Sequence, residues 1–386
     1  MARIVLAGYL VRQPLGGYAW QAAHYLLGLR ALGHDAWFYE ETAHWAPAYN
    51  PTTGEFGPSY EYGLMLAADF LDRLGFDDRW TFVDSARGIE YGAEAGRHAT
   101  LLSEADLLIN IAGVNRVSAE RRGGRPSVYV DIDPGYTQIR AAQGDAELRA
   151  VLDEHAHLFT IGENIGTARS PLPTGGYRWH PTRCPVAVEQ WADAGPPGSA
   201  YTTIGTWDAE GRDVEWQGEA YRWRKRTEWQ RFLDLPARSG ARLELAMDVA
   251  RNPDDLARLD AHGWRVEDPL AVSADFWAYR VYIRGSRGEF TVAKDMNVRL
   301  RSGWFSDRAA CYLAAGRPVV EQDTAFGDVL PLGAGVHAFR TVEEATDALR
   351  AIEGDWPRAS AHASEVAREY FAAEKVVGEM LRVVGL

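Results

Sequence analysis

A stretch of glycine, serine and arginine near residue 303 combines groups that can bind a diphosphate. It precedes an apolar run that predicts a helix beginning at Ser306 or Asp307. The first turn of a helix presents unpaired N–H groups and a partial positive charge, and both favour an anion. A glycine there would let the anion approach the backbone closely. The residues expected to contact the phosphates are Arg301, Ser302, Gly303, Ser306 and Arg308.

The surroundings of this stretch are positively charged in an otherwise acidic chain. The 386-residue sequence has a net charge of −13, yet residues 276–308 hold six arginines and Lys294 against three acids. Such a patch favours an anionic small ligand, and an arginine-rich surface paired with acids elsewhere is the alternative. The negative total predicts no nucleic-acid partner, because phosphate backbones bind positive surfaces.

Strands and helices alternate along the first half of the chain. Residues 3–11 predict a buried strand, a loop with Gly16 and Gly17 follows, and a helix ends at Gly33 before the strand DAWFYEE. Three more strands are predicted within residues 104–113, 126–134 and 157–166. This alternation predicts a parallel sheet whose ligand crevice lies at the carboxyl ends of its strands.

The second half repeats this pattern after two segments rich in proline and glycine, 170–176 and 193–200. Further strands are predicted within residues 200–207, 241–249 and 288–295, and after Pro318, and a last amphipathic helix is predicted over residues 361–384. We therefore predict an α/β protein with two Rossmann-like domains, residues 1–190 and 198–360, followed by a helical segment, 361–386. Two such domains face each other across a deep cleft, which is a favoured place for a small-molecule site.

Composition excludes several other classes of protein. Cys184 and Cys311 are too few and too far apart for a disulfide framework or a zinc cluster. No run approaches the ~20 apolar residues of a membrane helix, so we expect no membrane span and a cytoplasmic protein. The spacing of His, Asp and Glu residues does not indicate a metal site, so we expect neither a metal ion nor another cofactor.

The stretch RSGWFSD, followed by AAGRPVVEQD, resembles the donor-site signature of the GT-B glycosyltransferases. These twin-Rossmann enzymes move a sugar from a nucleoside diphosphate, such as UDP, to an acceptor. IGTW at 204–207 resembles the first turn of their C-terminal domain, and the last helix resembles one that returns to the first domain. The loop with Gly16 and Gly17 resembles their N-terminal acceptor loop. The further donor contacts expected from this resemblance and from the local charge are Gly205, Thr206, Lys294, Trp304, Glu321, Gln322 and Asp323.

The chain departs from the retaining branch of this family. That branch carries two glutamates eight residues apart, and the corresponding positions here are Gly303 and Cys311. It also places an arginine and a lysine close together for the diphosphate, whereas Arg287 and Lys294 lie seven residues apart. The stereochemical outcome therefore stays open.

Sugar transfer also requires a base for the acceptor hydroxyl, and three residues are candidates. Asp133 ends the run YVDID beside Pro134 and is the first choice. Glu163 in IGENIG is the second choice. His24 is the third, because one branch of the family uses a histidine near the first loop. A helix-capping acid or a structural histidine is the alternative at each position.

The sequence thus predicts a hexosyltransferase-like enzyme that transfers a sugar from a nucleotide sugar to a small-molecule acceptor without a metal ion. A nucleotide-sugar 2-epimerase and a catalytically inactive sugar-nucleotide-binding partner remain alternatives. The nucleotide base, the sugar, the acceptor and the oligomeric state stay open.

Overall fold

Two parallel sheets organise the chain in the computed structural model, which describes residues 1–43, 46–209 and 211–386. The strands of the first half are β1 (Arg3–Ala7), β2 (Asp35–Glu41), β3 (Ala48–Asn50), β4 (Glu55–Gly57), β5 (Trp80–Asp84), β6 (Ile89–Gly92), β7 (Leu107–Ile111), β8 (Ser127–Asp131), β9 (His157–Thr160) and β10 (Trp179–Pro181). Its helices are α1 (Gly16–Ala31), α2 (Glu61–Arg73), α3 (His98–Glu104), α4 (Tyr136–Ala142) and α5 (Ala146–Asp153). The sheet order is β10-β9-β8-β7-β1-β2-β5-β6, with an antiparallel β5–β6 pair at one edge, and β3 and β4 form a separate hairpin.

The second half contains a six-stranded sheet that is parallel throughout, in the order β15-β14-β11-β16-β17-β18. Its strands are β11 (Ala200–Gly205), β12 (Val214–Trp216), β13 (Glu219–Tyr221), β14 (Arg242–Met247), β15 (Arg265–Glu267), β16 (Gly288–Thr291), β17 (Val319–Gln322) and β18 (Val336–Phe339), of which β12 and β13 form a separate ribbon. Its helices are α6 (Arg226–Trp229), α7 (Leu235–Ser239), α8 (Pro253–Ala261), α9 (Pro269–Ser273), α10 (Phe276–Gly285), α11 (Asp295–Arg299), α12 (Asp307–Ala314), α13 (Val342–Gly354), α14 (Trp356–Val366) and α15 (Ala373–Val384).

The predicted α/β class is confirmed, and the differences in element length have local causes. The first strand ends at Ala7 because the backbone of the following loop hydrogen-bonds to a carboxylate instead of to a neighbouring strand. Glu40, at the end of β2, accepts the N–H groups of Leu10, Val11 and Arg12 at 2.7–3.0 Å. The first loop is therefore fixed by backbone hydrogen bonds at the carboxyl edge of the sheet.

The predicted last helix is interrupted. A π-helical turn at Ala367–Phe371 separates α14 from α15. Val186 pairs with the chain at this break, since its N–H donates to Phe371 O at 2.7 Å and its carbonyl accepts from Ala373 N at 2.9 Å. The interruption thus frees backbone groups that bind the first half of the chain.

One apolar core crosses from the first half to the second. Nearly every side of α1 is buried, as expected for a helix enclosed by other elements. Its Trp20 donates to Phe276 O of α10 at 2.7 Å, and its C-terminal half packs on α15. Gly28 of α1 lies directly against Ala373, where an added Cβ would come within 2.9 Å. The last helix therefore rests on the first half of the chain.

This contact predicts opposite effects for two alanine substitutions on facing helices. We expect Gly28→Ala to lower the free energy of unfolding by about 1–3 kcal/mol, because the new Cβ collides with the backbone of Ala373. We expect Gly378→Ala to raise it by up to about 1 kcal/mol, because its Cβ meets only Leu32 at an ordinary 3.7 Å and alanine favours the helix. Urea denaturation of both variants measures the difference. Equal destabilisation would contradict the close approach at Gly28.

Candidate functional site

The carboxyl ends of strands from both sheets line one cleft. Its largest polar cavity has a volume of about 790 Å³ and is bordered by the loops after β1, β7, β8, β11 and β16. Two further cavities, of about 900 Å³ and 290 Å³, share Tyr18 and Gly205 with it. A ligand in this cleft would contact both halves of the chain.

Five cations of the second half line this cleft: Arg212, Arg224, Lys225, Lys294 and Arg308. Arg308 is held rigidly, because its Nε contacts Glu289 at 2.5 Å and its Nη1 donates to the Ile204 carbonyl at 2.7 Å. Lys294 Nζ lies 3.0 Å from Asp133 Oδ1, and burial lowers the pKa of Lys294 against the opposing charge of Asp133. Lys294 and Arg308 therefore have fixed positions before any ligand binds.

Lys225 differs from Lys294 and Arg308 because it makes no ion pair within the described part of the chain. Its Nζ lies 5.2 Å from the ring centroid of Trp304. Burial and then the nearby charge of Arg308 lower the pKa of Lys225 to about 7, with Lys294 acting in the same direction and Glu321 and Glu289 opposing them. An anion in the cleft would supply the partner that this amine lacks.

Buried acids lie behind these cations. Glu289 and Glu321 are both fully buried, and within the described residues one oxygen of each has no hydrogen-bond partner. Burial, and then Glu289, raise the pKa of Glu321. Gln322 accepts from Ala293 N and donates to Glu228, while Asp323 pairs with Arg340. The structure therefore places Glu321, Gln322 and Asp323 beneath or beside the cleft, and none of them lines its cavities.

The Gly303 turn serves a structural contact in this conformation. Gly303 N donates to Thr324 O at 2.9 Å, Trp304 N to Ser302 Oγ at 3.2 Å, and Ser306 N to Glu321 at 3.2 Å. These amides, which the sequence suggested for an anion, are thus already bonded. Gly303 has φ 77°, and an added Cβ would meet Asn164 of the first half at 2.9 Å. Its glycine is required by the contact between the two halves.

The other residues of the stretch 301–308 lie at the surface, in the interior or at the cleft. Arg301 is exposed, pairs with Asp328 at 3.4 Å and does not line the cleft. Ser302 is fully buried against Asn297. Trp304 and Arg308 border the 290 Å³ cavity, as does the first turn of α12. Ser306 is the N-cap residue by position, but its side chain makes no capping hydrogen bond.

Of the two acids in YVDID, one is structural and one faces the cleft. Asp131 is fully buried and accepts from Thr137, Gln138 and Thr160, each at 2.7 Å. Asp133 is partly exposed, lines the 790 Å³ cavity and lies 3.8 Å from Arg212 as well as beside Lys294. Its carboxylate is the candidate base that the structure brings to the cations.

The other two candidate bases lie elsewhere. Glu163 forms a two-point ion pair with Arg183, at 2.6 Å and 3.0 Å, and lines none of the three cavities. His24 lies on the buried face of α1. Its Nδ1 accepts from Ala187 N at 3.1 Å, and its Nε2 lies 3.5 Å from Cys311 Sγ of the second half. Burial lowers the pKa of His24 to about 3. Neither side chain is placed to reach a ligand in the cleft.

The residues of the two glycine turns expected around the ligand lie partly at the cleft and partly in a packing contact. Gly205 and Thr206 line the cleft, and Gly17 lines the 290 Å³ cavity. Gly16 packs against the ring of Tyr279, where an added Cβ would lie 2.3 Å from Tyr279 Cβ. Gly16 is therefore a packing position at the start of α1.

Sequence reasoning missed several residues that the structure brings to the cleft. Trp223, Arg224 and Lys225 belong to the segment 216–232, which is rich in aromatic and basic residues. They lie just after the ribbon β12–β13. Tyr9 follows β1 and Arg212 precedes the ribbon. The cluster of aromatic and basic side chains in 216–232 was the available signal.

Two features are absent from the part of the chain that the structure describes. None of the helices within residues 1–43, 46–209 and 211–386 is long and apolar enough to cross a bilayer. Over the same residues, no group of three or more His, Cys, Asp or Glu side chains is arranged to hold a metal ion.

Solved structures share this architecture over nearly the whole chain. An alpha-glucosyltransferase in complex with UDP and a 13-mer DNA matches with a TM-score of 0.61 and 11% identity, covering 100% of both chains. Anabaena Alr3699/HepE in complex with UDP and glucose matches with a TM-score of 0.57 and 10% identity over 99% of each chain. AviGT4, a glycosyltransferase involved in avilamycin A biosynthesis, matches with a TM-score of 0.54 and 12% identity over 99% of this chain and 96% of its own. No protein-family profile and no curated protein sequence matches the chain.

The expectation of no nucleic-acid partner, drawn from net charge, is wrong as an exclusion. Structures that share the fold contain DNA, one as a 13-mer with UDP and another with UDP-glucose and an abasic site. Net charge sums the whole surface, whereas binding depends on the charge of the surface that makes the contact. A total of −13 therefore does not rule out a nucleic-acid ligand.

The similarity to these structures extends from the first strand to the last helix, at identities of 10–12%. Each half of the chain contains a largely parallel sheet with helices, as the sequence predicted. The chain has the fold of the GT-B glycosyltransferases.

Proposed function

We propose that this protein is a glycosyltransferase that moves a sugar from a nucleoside diphosphate sugar to a hydroxyl group of an acceptor. The observation that carries the proposal is the group of Lys225, Lys294 and Arg308 in the cleft between the two halves, of which Lys294 and Arg308 are fixed by ion pairs. A departing diphosphate gains negative charge, and preorganised cations stabilise that charge most effectively in a site of low dielectric. Because side chains supply this charge, the proposed reaction needs no metal ion.

The neighbouring 900 Å³ cavity suits the nucleoside of the donor. It is bordered by the loops after β14 and β15, and its lining is mainly apolar, including Ile204, Met247 and Leu270. It shares Gly205 and Thr206 with the cationic cavity. A base in the apolar cavity and a diphosphate beside the cations therefore form one continuous donor site. The UDP in the structures of similar fold supports uridine as the first base to test.

Asp133 is the proposed base of this reaction. It accepts the proton of the acceptor hydroxyl as the oxygen bonds to the anomeric carbon. The bond from that carbon to the diphosphate breaks, and its electron pair leaves with the phosphate oxygen. Lys294 lies 3.0 Å from Asp133 and lines the same cavity as the other cations. In the proposed reaction it interacts with both the base and the departing diphosphate.

A panel of nucleoside diphosphate sugars tests the proposed function. We expect one of them to bind and to release its nucleoside diphosphate slowly in water, and faster with an acceptor. The panel of acceptors includes small alcohols and oligonucleotides, because an alpha-glucosyltransferase of similar fold holds DNA. Binding without any release would favour an inactive partner subunit, and conversion of the sugar without release would favour an epimerase.

Lys225 predicts a pH dependence of UDP binding. Without a ligand, the amine of Lys225 has a pKa of about 7. A bound phosphate favours the protonated form of this amine. Binding must therefore take up a proton above pH 7, and we expect the Kd of UDP to rise by up to about tenfold per pH unit between pH 7 and 9. The phosphates of UDP stay ionised throughout that range, because the second phosphate pKa is about 6. Calorimetry over this pH range measures the slope.

Lys225→Arg is the matched variant for this measurement. Arginine stays charged across the whole range, so we expect the slope of Kd with pH to disappear. Arg301→Ala, which changes an exposed side chain outside the cleft, should keep both the affinity and the slope of the parent protein. The same slope in the parent and in Lys225→Arg would show that another group titrates.

Asp133→Asn tests the proposed base. We expect transfer to fall by at least about 100-fold, because the amide cannot accept the proton, while UDP affinity stays within threefold. Glu163→Gln serves as the control, since its ion pair with Arg183 lies outside the cleft, and we expect transfer to persist. Initial rates of UDP release with acceptor report both. Full activity of Asp133→Asn together with loss in Glu163→Gln would move the base to Glu163.

A further inference from the structure

The wall of the 790 Å³ cavity that the first sheet provides is aromatic, and the proposed donor does not use it. Tyr9, Tyr129 and Tyr136 line it, with the apolar side chains of Val114 and Leu148 beside them. The cations of the donor site come from the second half of the chain. The cavity therefore has two chemically different sides, of which only one suits a diphosphate.

Backbone strain supports a functional role for this wall. Ala112 lines the cavity at the end of β7 with φ 54°, and Gly113 follows with φ 62°. Alanine in the left-handed region costs about 1–3 kcal/mol, and such residues concentrate at ligand sites. Gly113 cannot carry a side chain, because an added Cβ would lie 2.7 Å from the ring of Tyr129. This turn brings Val114 to the cavity beside the tyrosines.

Trp223 closes the aromatic wall from the other half. Its ring meets that of Tyr136 edge to face, with centroids 5.0 Å apart. The guanidinium of Arg212 lies 5.0 Å from the Trp223 centroid and 6.0 Å from that of Tyr136. Both rings are therefore held by neighbouring contacts before a ligand binds.

We propose that this wall binds a planar aromatic acceptor that presents a phenolic hydroxyl to Asp133. The inference rests on the proposed function and names its acceptor class. The ring of the acceptor packs among Tyr9, Tyr136 and Val114, and its hydroxyl points toward the donor side. Arg140 on this wall is already paired with Asp145 and with the hydroxyl of Tyr136, so it does not call for an anionic acceptor.

A phenol also matches the chemistry of the base. Phenols lose a proton with a pKa of about 10, as tyrosine does, whereas aliphatic alcohols are much weaker acids. A carboxylate can therefore assist a phenol far more readily. The phenolic oxygen bonds to the anomeric carbon, its proton passes to Asp133, and the bond to the diphosphate breaks with its electrons on the leaving oxygen. The aromatic wall and the aspartate thus favour the same acceptor.

The test compares 4-methylumbelliferone, a planar phenol, with cyclohexanol and with a single-stranded oligonucleotide that carries a hydroxymethylated base. The donor is the nucleotide sugar that the protein hydrolyses slowly, and product release is followed with time. We expect the phenol to be glycosylated with a kcat/KM at least about tenfold above the other two acceptors. Val114→Trp, which fills the wall, should raise the KM for the phenol by at least about tenfold.

Met65→Trp is the matched control, because it adds the same side chain at an exposed position of α2. We expect its KM for the phenol to equal that of the parent. UDP affinity within twofold of the parent shows that Val114→Trp is folded, and Leu148→Trp replaces it if it is not. Preference for cyclohexanol or the oligonucleotide, or an unchanged KM in a folded wall variant, would overturn the phenol inference alone. Failure of every nucleoside diphosphate to bind would overturn the proposed function as well.

Discussion

The cleft is built around cations that are kept in place by acids behind them. Glu289 is fully buried and fixes Arg308, so the guanidinium cannot swing away to solvent. Burying charges costs free energy unless partners compensate. Glu289 compensates the charge of Arg308 from within the second half. Asp133, from the first half, compensates the charge of Lys294. The positive surface of the cleft is thus a property of the folded core and of the contact between the halves.

Acids at the ends of strands perform two different tasks in this chain. Glu40 organises the first loop through three backbone N–H groups, and Asp131 holds two side chains of α4 and the side chain of Thr160 at the end of β9. Both are fully buried. Asp133, two residues beyond Asp131, is left at the surface of the cleft. The run YVDID thus places one buried structural acid two residues from an acid that faces the cleft.

The fold was accessible from the sequence because parallel strands buried on both faces leave apolar runs that turn residues interrupt. The site was accessible only in part. The sequence around Gly303 is compatible with a phosphate-binding loop and with a tight packing contact. The contact of Gly303 with Asn164, which is remote in sequence, distinguishes the two. Lys225 lies four residues beyond the ribbon β12–β13, whose strands of three residues are too short for a sequence pattern to indicate. The π-helical turn before α15 contains neither glycine nor proline to mark it.

The turn at Gly303 joins the halves by main-chain atoms as well as side chains. Asn164 N donates to Ser302 O at 3.0 Å, and its side-chain amide donates to Ala325 O at 3.1 Å. Pulling the halves apart would break these bonds in a buried place where water cannot replace them. These bonds add to the shared apolar core, so the joint resists separation of the two halves.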